Sequence, residues 1–373
     1  MNNCTTICKT IENRFVDWKF KLGFKANLAG VTFSPIRTER LILRWPVRSD
    51  AEAAYQRRSL PEVARYQDWE MPYTRERAEI STVADAAKSE IDEGGLNLTV
   101  VDASSPDQIL GDVYARTRWG GRCGYIGYTF HPDYWGHGYA TEACIALVKY
   151  MFTDLGVSRI ESSLQPENVP SARVLEACGM IVEGWTRESY WVGDECSDDM
   201  LYGMRRTVWD AWCERPRHRP AKVDLVPLTY ENRLAVGGLV THKSQERFVS
   251  PMLGNFRDVV APPPRDGAPT TLWHRAIEAD GRIVGFILAS ETTAPHDNPT
   301  VLRILIDRMH QRRGVGAAAL DLFEQRCKAQ GAAAIEASWA EGPGSPARMF
   351  LARGYRPSGR VVDGEIHAVK ALI

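Results

Sequence analysis

A chain of 373 residues is longer than one hydrophobic core usually fills, so two domains are expected. Its 44% hydrophobic and 25% charged residues are those of an ordinary globular protein, and a formal net charge of −1 excludes any global pull toward nucleic acid or an anionic membrane. The 8 cysteines form no CxxC pair and no apolar run reaches the ~18 residues of a bilayer span, so the reading is a cytoplasmic protein without a metal, a disulfide framework or a membrane anchor.

In residues 1–33, Ile7, Ile11, Phe15, Trp18 and Leu22 recur at helical spacing. They predict an amphipathic helix docked on its own protein, with a membrane-surface or partner helix as the alternative. A first domain over 34–213 opens with the strand Leu41–Trp45, after which Ser49 and Asp50 offer a helix N-cap. Leu96–Val101, Ile109–Ala115 and Tyr125–Phe130 read as further strands, bounded by turn residues. The helix after His137 carries Ala140, Cys144, Leu147, Val148 and Met151 on one stripe. Alternating prolines within 214–221 deny that stretch both helix and sheet, so it reads as a linker. The second domain, 222–373, opens with Val223–Leu228 and adds strands Trp273–Ala279, Ile283–Ala289 and Val301–Ile306. Its helix after Gly314 is striped by Val315, Ala319, Leu322, Phe323 and Cys327.

The two halves repeat one device. A strand runs through a glycine turn into a helix, at Trp135-Gly-His-Gly-Tyr-Ala140 and again at Gln311-Arg-Arg-Gly-Val-Gly316. Each turn is followed, at the same distance to within a residue, by a helix ending at glycine, Gly179 or Gly354. Such a turn aims several backbone N–H groups at one point, and the helix N-terminus adds positive potential there. A pyrophosphate suits that place, and glycines let it approach the backbone. Neither copy completes the G-x-G-x-x-G dinucleotide fingerprint, and no Gly-Lys-Ser/Thr of a P-loop follows.

Gln311–Gly316 resembles the Q/R-x-x-G-x-G/A acetyl-CoA loop of the GNAT N-acetyltransferase superfamily. Trp135–Ala140, continued by Thr141-Glu-Ala143, resembles that loop in the branch acetylating ribosomal-protein N-termini. Asn168-Val-Pro-Ser171, Glu183-Gly184 and Asp199 resemble the same branch. The second half is similar to bacterial polyamine acetyltransferases at Glu231-Asn232, Gln245–Val249, Ile306-Asp-Arg308 and Asp363-Gly-Glu365. The resemblance implies an α/β protein of two tandem GNAT (acyl-CoA N-acyltransferase) domains, each a mixed, mostly antiparallel sheet flanked by helices. It implies acetyl-CoA, or another acyl-CoA, with its pantetheine along the backbone near Tyr128 and Phe130 or near Ile304 and Ile306. The diphosphate would lie on the loop amides of Gly136, His137, Gly138, Tyr139 and Ala140, or of Arg312, Arg313, Gly314, Val315 and Gly316, with Trp135 and Gln311 also in the cofactor site. The implied reaction is direct attack on the thioester by a primary amine of a small molecule or peptide, with the first half as the main catalytic unit.

For the chemistry, Ser171 resembles the serine of its branch, a proton source for the thiolate, and is equally readable as a helix N-cap. Asn168 would hold the loop or the pantetheine. Glu161 is a candidate base, with bound water or a structural role as alternatives. In the second half Phe350 stands where many members have tyrosine; it is expected to pack, with no proton to give. His131 and His137 are expected to meet phosphate or solvent, and Trp119, Trp185 and Trp191 to pack in the core, an acceptor pocket being the alternative. Asp194, Glu195, Asp198 and Asp199 read as a solvated turn, or as receivers of a cationic amine. Arg205, Arg206, Arg215, Arg217, Arg219 and Lys222 read as a solvated linker. RNA contact there would belong to a second hypothesis, an aminoacyl-tRNA-dependent acyltransferase, and a third makes one or both halves non-catalytic acyl-CoA sensors. The oligomeric state and the acceptor stay open.

Overall fold

The computed structural model describes residues 33–262, 271–291 and 298–372. The helix expected from Ile7 to Leu22 therefore lies outside the described residues. In the first half the elements run β1 (Ile36–Arg37), β2 (Leu41–Arg44), α1 (Ala51–Arg58), α2 (Pro61–Ala64), α3 (Arg75–Ala86), β3 (Leu96–Asp102), β4 (Ile109–Arg118) and β5 (Cys123–Phe130). They continue through α4 (Tyr139–Thr153), β6 (Arg159–Leu164), α5 (Val169–Ala177), β7 (Ile181–Val192), β8 (Glu195–Arg205) and α6 (Arg206–Glu214). The sheet order is β1-β2-β3-β4-β5-β6-β8-β7.

The second half repeats the plan with β9 (Val223–Val226), α7 (Arg233–Gly237), α8 (Met252–Val260), β10 (Leu272–Ala279), β11 (Arg282–Ser290) and β12 (Thr300–Ile306). After these come α9 (Val315–Ala329), β13 (Ala334–Ala340), α10 (Ala347–Ala352), β14 (Arg356–Val362) and β15 (Glu365–Ala371), in a sheet ordered β14-β15-β13-β12-β11-β10-β9. Every pairing is antiparallel except β5 with β6 and β12 with β13, whose crossovers are α4 and α9. The mixed, mostly antiparallel α/β architecture expected from the sequence is the one observed, twice. No helix among the described residues is long and apolar enough to cross a membrane.

Alternation decides the layers. In β6 the pattern puts Ile160, Ser162 and Leu164 on the face covered by α4 and α5, and Arg159, Glu161 and Ser163 on the other. α4 buries Ala143, Cys144, Leu147, Val148, Met151 and Phe152 against that first face. α9 buries Val315, Ala319, Leu320, Phe323 and Cys327. Leu320 thus replaces the expected Leu322, which turns to the flank of the stripe and is half-buried. Asp50 stands at the N-cap of α1 as expected, but its carboxylate accepts from no N–H of that helix. It accepts from Arg44 at 2.7 and 2.8 Å, from Thr99 at 2.8 Å and from the Val47 N–H at 3.0 Å, joining β2 and β3 to the start of α1.

The two parallel pairings are short, and this makes the site. β5 and β6 pair only from Cys123 to Tyr125, opposite Arg159 to Glu161. β12 and β13 pair only at Thr300 and Val301, opposite Glu336 and Ala337. Beyond these points each pair parts, leaving a wedge-shaped gap inside a sheet.

Candidate functional site

Strand parity shows which backbone groups line the gaps. The His131 N–H donates to Leu110 at 3.0 Å, so odd-numbered residues of β5 turn their polar groups to β4. Even-numbered Ile126, Tyr128 and Phe130 face the gap, and the Ser162 hydroxyl donates across it to the Ile126 carbonyl at 2.9 Å. In the second half the Asp307 N–H donates to Val284 at 2.8 Å, which turns Ile304 and Ile306 to their gap in the same way.

The loops at the open ends match residue for residue. Gly136 and Arg312 both lie at positive φ, 78° and 61°, and the N-cap glycines Gly138 and Gly314 lie at φ 80° and 79°. Only glycine adopts that region without strain, so Arg312 is the strained member of the set. Each loop then enters a helix of 15 residues. Among the described residues no acceptor is bonded to the backbone N–H groups of Gly136 to Ala140, or of Arg312 to Gly316. Five successive free donors at a helix N-terminus form an anion cradle, and an acyl-CoA diphosphate fits it.

Three side chains of the expected cofactor sites are spent elsewhere. Trp135 Nε1 donates to the Phe130 carbonyl at 2.8 Å, and its backbone N–H to Pro132 at 3.0 Å. Gln311 Nε2 donates to the Ile306 carbonyl at 2.9 Å. The two residues do one job: each ties its loop to the last residue of its strand, so neither Phe130 nor Ile306 has a free carbonyl. Arg313 is buried, with Nε on the His218 carbonyl at 2.7 Å and a second nitrogen 3.0 Å from His310 Nδ1. It pins the linker to the second loop and offers the cradle only its backbone N–H. Arg40, which no local pattern singled out, lies over the Tyr139 ring at 4.6 Å and donates to the His137 carbonyl at 3.0 Å. Glu142 holds it there through Nε at 2.7 Å.

On the α4–α5 face, Asn168 caps α5 by accepting the Ser171 N–H at 3.2 Å. Asn168, not Ser171, is therefore the N-cap. Ser171 Oγ lies 2.6 Å from the Tyr128 hydroxyl, which also donates to the Ser171 carbonyl at 2.8 Å. Burial, then neighbouring Cys144, pushes the Tyr128 phenol well above its ordinary range, so it stays protonated. Asn168, Ser171 and Tyr128 are thus brought together beside the gap. Glu161 is not: it projects from the opposite face, bonded to Arg159 at 2.8 Å and 3.8 Å from Arg118.

That opposite face carries a group the sequence did not assemble. The Tyr125 hydroxyl is 3.2 Å from Ser163 Oγ, and the nearby Ser163 side chain moderates the Asp199 carboxylate. Burial raises the Asp199 pKa above the usual carboxylate value. The Arg116 and Arg118 guanidiniums lie 4.6 and 5.7 Å from the centre of the Tyr125 ring. Asp199 was expected in a solvated turn, but its side of β8 is partly covered. The nearby tryptophans go the other way: Trp119, Trp185 and Trp191 are exposed rather than in the core. His131 is partly exposed, and its Nδ1 accepts the Asp133 N–H at 3.3 Å. In the linker Arg215 is half-buried, stacked at 3.5 Å over Trp212, not fully solvated.

In the second half the position expected to hold a phenol is filled by Phe350. It is 3% exposed, stacked on Trp339 at 5.5 Å with the rings 10° from parallel. The resident side chain has neither a proton nor access to the gap.

Known proteins resemble both halves. An acetyltransferase (GNAT) domain profile matches residues 40–181, and an acetyltransferase (GNAT) family profile matches 242–355. The chain is 30% identical over 175 residues to the uncharacterized N-acetyltransferase YnaD of Bacillus subtilis, covering 47% of this chain and 99% of that protein. It is 33% identical over 165 residues to the uncharacterized N-acetyltransferase p20 of Bacillus licheniformis, covering 40% of this chain and 84% of the other. Among solved structures, a GNAT-family acetyltransferase from Bacillus anthracis is 30% identical with a TM-score of 0.42, over 46% of this chain and 98% of that one.

Proposed function

From the premise that this chain belongs to the GNAT acetyltransferase family, with two such domains in tandem, we propose that its first half is the main catalytic unit and acylates a primary amine of a small molecule or peptide. The reading takes 34–213 and 222–373 as the two domains, joined by 214–221. One observation carries it: free N–H donors stand at the mouth of a parted strand pair, with a hydroxyl beside the same gap.

The acyl-CoA supplies an activated thioester; the chain supplies placement and protons. Gly136, His137, Gly138, Tyr139 and Ala140 hold the diphosphate through their N–H groups, and Arg40 adds a cation at the same helix end. Tyr128 and the Phe130 N–H offer the pantetheine a strand edge. The equivalent places in the second half are Arg312 to Gly316, Ile304 and the Ile306 N–H. Because α4 and α5 fill one face of the sheet, the amine comes from the other, where Tyr125, Ser163 and Asp199 stand. Asp199, made more basic by burial, takes the amine's proton. Ser171 donates to the departing sulfur, and protonated Tyr128 steadies that hydroxyl. Stacked Phe350 favours a second reading for the second half alone, as a holder of acyl-CoA without turnover.

Native mass spectrometry of the full chain with CoA tests the cradle, and thiol release from acetyl-CoA with a panel of primary amines tests the chemistry. At least one CoA equivalent binds. Gly138→Glu, which forces a side chain into positive φ and sets a carboxylate at the cradle, removes the first site's equivalent and thiol release together; Gly316→Glu removes only the second's. Zero equivalents, or thiol release undiminished in Gly138→Glu, would sink the proposal.

A further inference from the structure

The helix that carries Ser171 is held by both halves of the chain. α5 has only 9 residues, too few to be stable by themselves, and its buried apolar side chains within the helix are Ala172 and Leu175. Asn168 and Tyr128 secure its first turn. Its last turn is secured by Glu176, which is 4% exposed. That carboxylate accepts the Ser244 N–H at 2.8 Å, the Ser244 hydroxyl at 2.5 Å and the Tyr202 hydroxyl at 3.2 Å. Ser244 belongs to the second half, in the single helical turn Lys243–Gln245. Just past α5, Arg308, also of the second half, donates to the Gly179 carbonyl at 3.3 Å.

Geometry makes this tie matter for Ser171. Glu176 lies five positions further on, about 7.5 Å along the axis and about 140° around it. A short helix fixed at opposite ends, on different faces, can neither roll nor slide. Without the Ser244 hydroxyl, Glu176 keeps the Ser244 N–H and the Tyr202 hydroxyl on Oε1 but loses the one donor to Oε2 among the described residues. A buried carboxylate deprived of a donor turns to recover one, which rolls the last turn of α5 and shifts the Ser171 hydroxyl. We propose that Ser244 is a positioning residue for the first site, acting through Glu176 to hold the Ser171 hydroxyl at the gap. The inference rests on reading Ser171 as the donor to the departing sulfur. It gives the second half a part in the first half's chemistry, whether or not the second half turns over.

The test uses the full chain and thiol release from acetyl-CoA, with the best primary amine from the panel. Ser244→Ala lowers kcat roughly ten- to hundredfold while the KM for acetyl-CoA stays within about twofold, because misplacing a catalytic group costs rate and leaves the cradle intact. Ser244→Thr keeps a hydroxyl and restores kcat, and it serves as the folding-tolerant arm if the alanine variant is unstable. An unchanged kcat in Ser244→Ala, a rise in KM in place of the fall in kcat, or failure of Ser244→Thr to recover overturns the proposal. Ser171→Ala is measured alongside. If it costs nothing, the reading of Ser171 falls and the positioning role falls with it; if it costs rate and Ser244→Ala does not, only the positioning role falls.

Discussion

His242 sits at the seam between the halves, edge-on to Trp212 at 5.9 Å. Burial lowers its pKa from 6.5 to about 4, and the guanidiniums of Arg308, Arg215 and Arg312 reinforce the shift. The unfolded chain takes up this proton near pH 6.5, whereas the native protein resists it until about pH 4. Between those values the unfolded state binds more protons, so the stability is whole above 6.5 and is lost as pH falls toward 4. Each factor of ten in proton affinity is worth about 1.4 kcal/mol, so the full gap amounts to roughly 3 kcal/mol, about 2 of it gone by pH ~5. Urea unfolding of the wild type and His242→Gln at about pH 7.5 and about pH 5 isolates the effect, since other titrating groups are common to both. The wild type should lose roughly 2 kcal/mol more than the variant over that interval. Equal losses would mean that His242 is not excluded from water by the seam, and the packing of the halves described above would be wrong there.

Removing the α5 cap by Asn168→Ala should cost about 1 kcal/mol in urea unfolding and lower thiol release, because the lost acceptor binds the Ser171 N–H. Phe350→Tyr should lose roughly 1–3 kcal/mol for a hydroxyl buried without a partner. It should also create no thiol release in a Ser171→Ala background, because the ring at 350 stacks on Trp339 away from the gap; new turnover there would refute that placement. Asp112 is buried between Arg57 and Arg58, with Arg58 at 2.8 Å, and Asp112→Asn leaves two buried cations short of a counter-charge. A loss of about 3–5 kcal/mol is expected by urea unfolding, and a loss below about 1 kcal/mol would show that water, not Asp112, solvates the pair.

What the sequence determined was what local chemistry writes locally. Both glycine loops were legible because positive φ at Gly136, Gly138 and Gly314 calls for that residue type, and the stripes of α4 and α9 because helical spacing repeats within a few turns. The head of α5 was half legible: a cap was expected there, but at Ser171, with Asn168 read as holding the loop or the pantetheine. Tertiary structure decided the rest. The indole of Trp135 and the amide of Gln311 were readable as ligand contacts until strand ends brought acceptors within reach. Leu320 displaced Leu322 because the phase of a stripe depends on what it faces. Trp119 is exposed because it sits in the turn between β4 and β5, and Trp185 and Trp191 because β7 is an edge strand of its sheet. Ser244 and Glu176 are 68 residues apart, and Arg40 reaches across 97 to His137. Such pairs have no signature along the chain, since a hydrogen bond between distant segments depends on where two packed bodies meet and not on the spacing of residues within either.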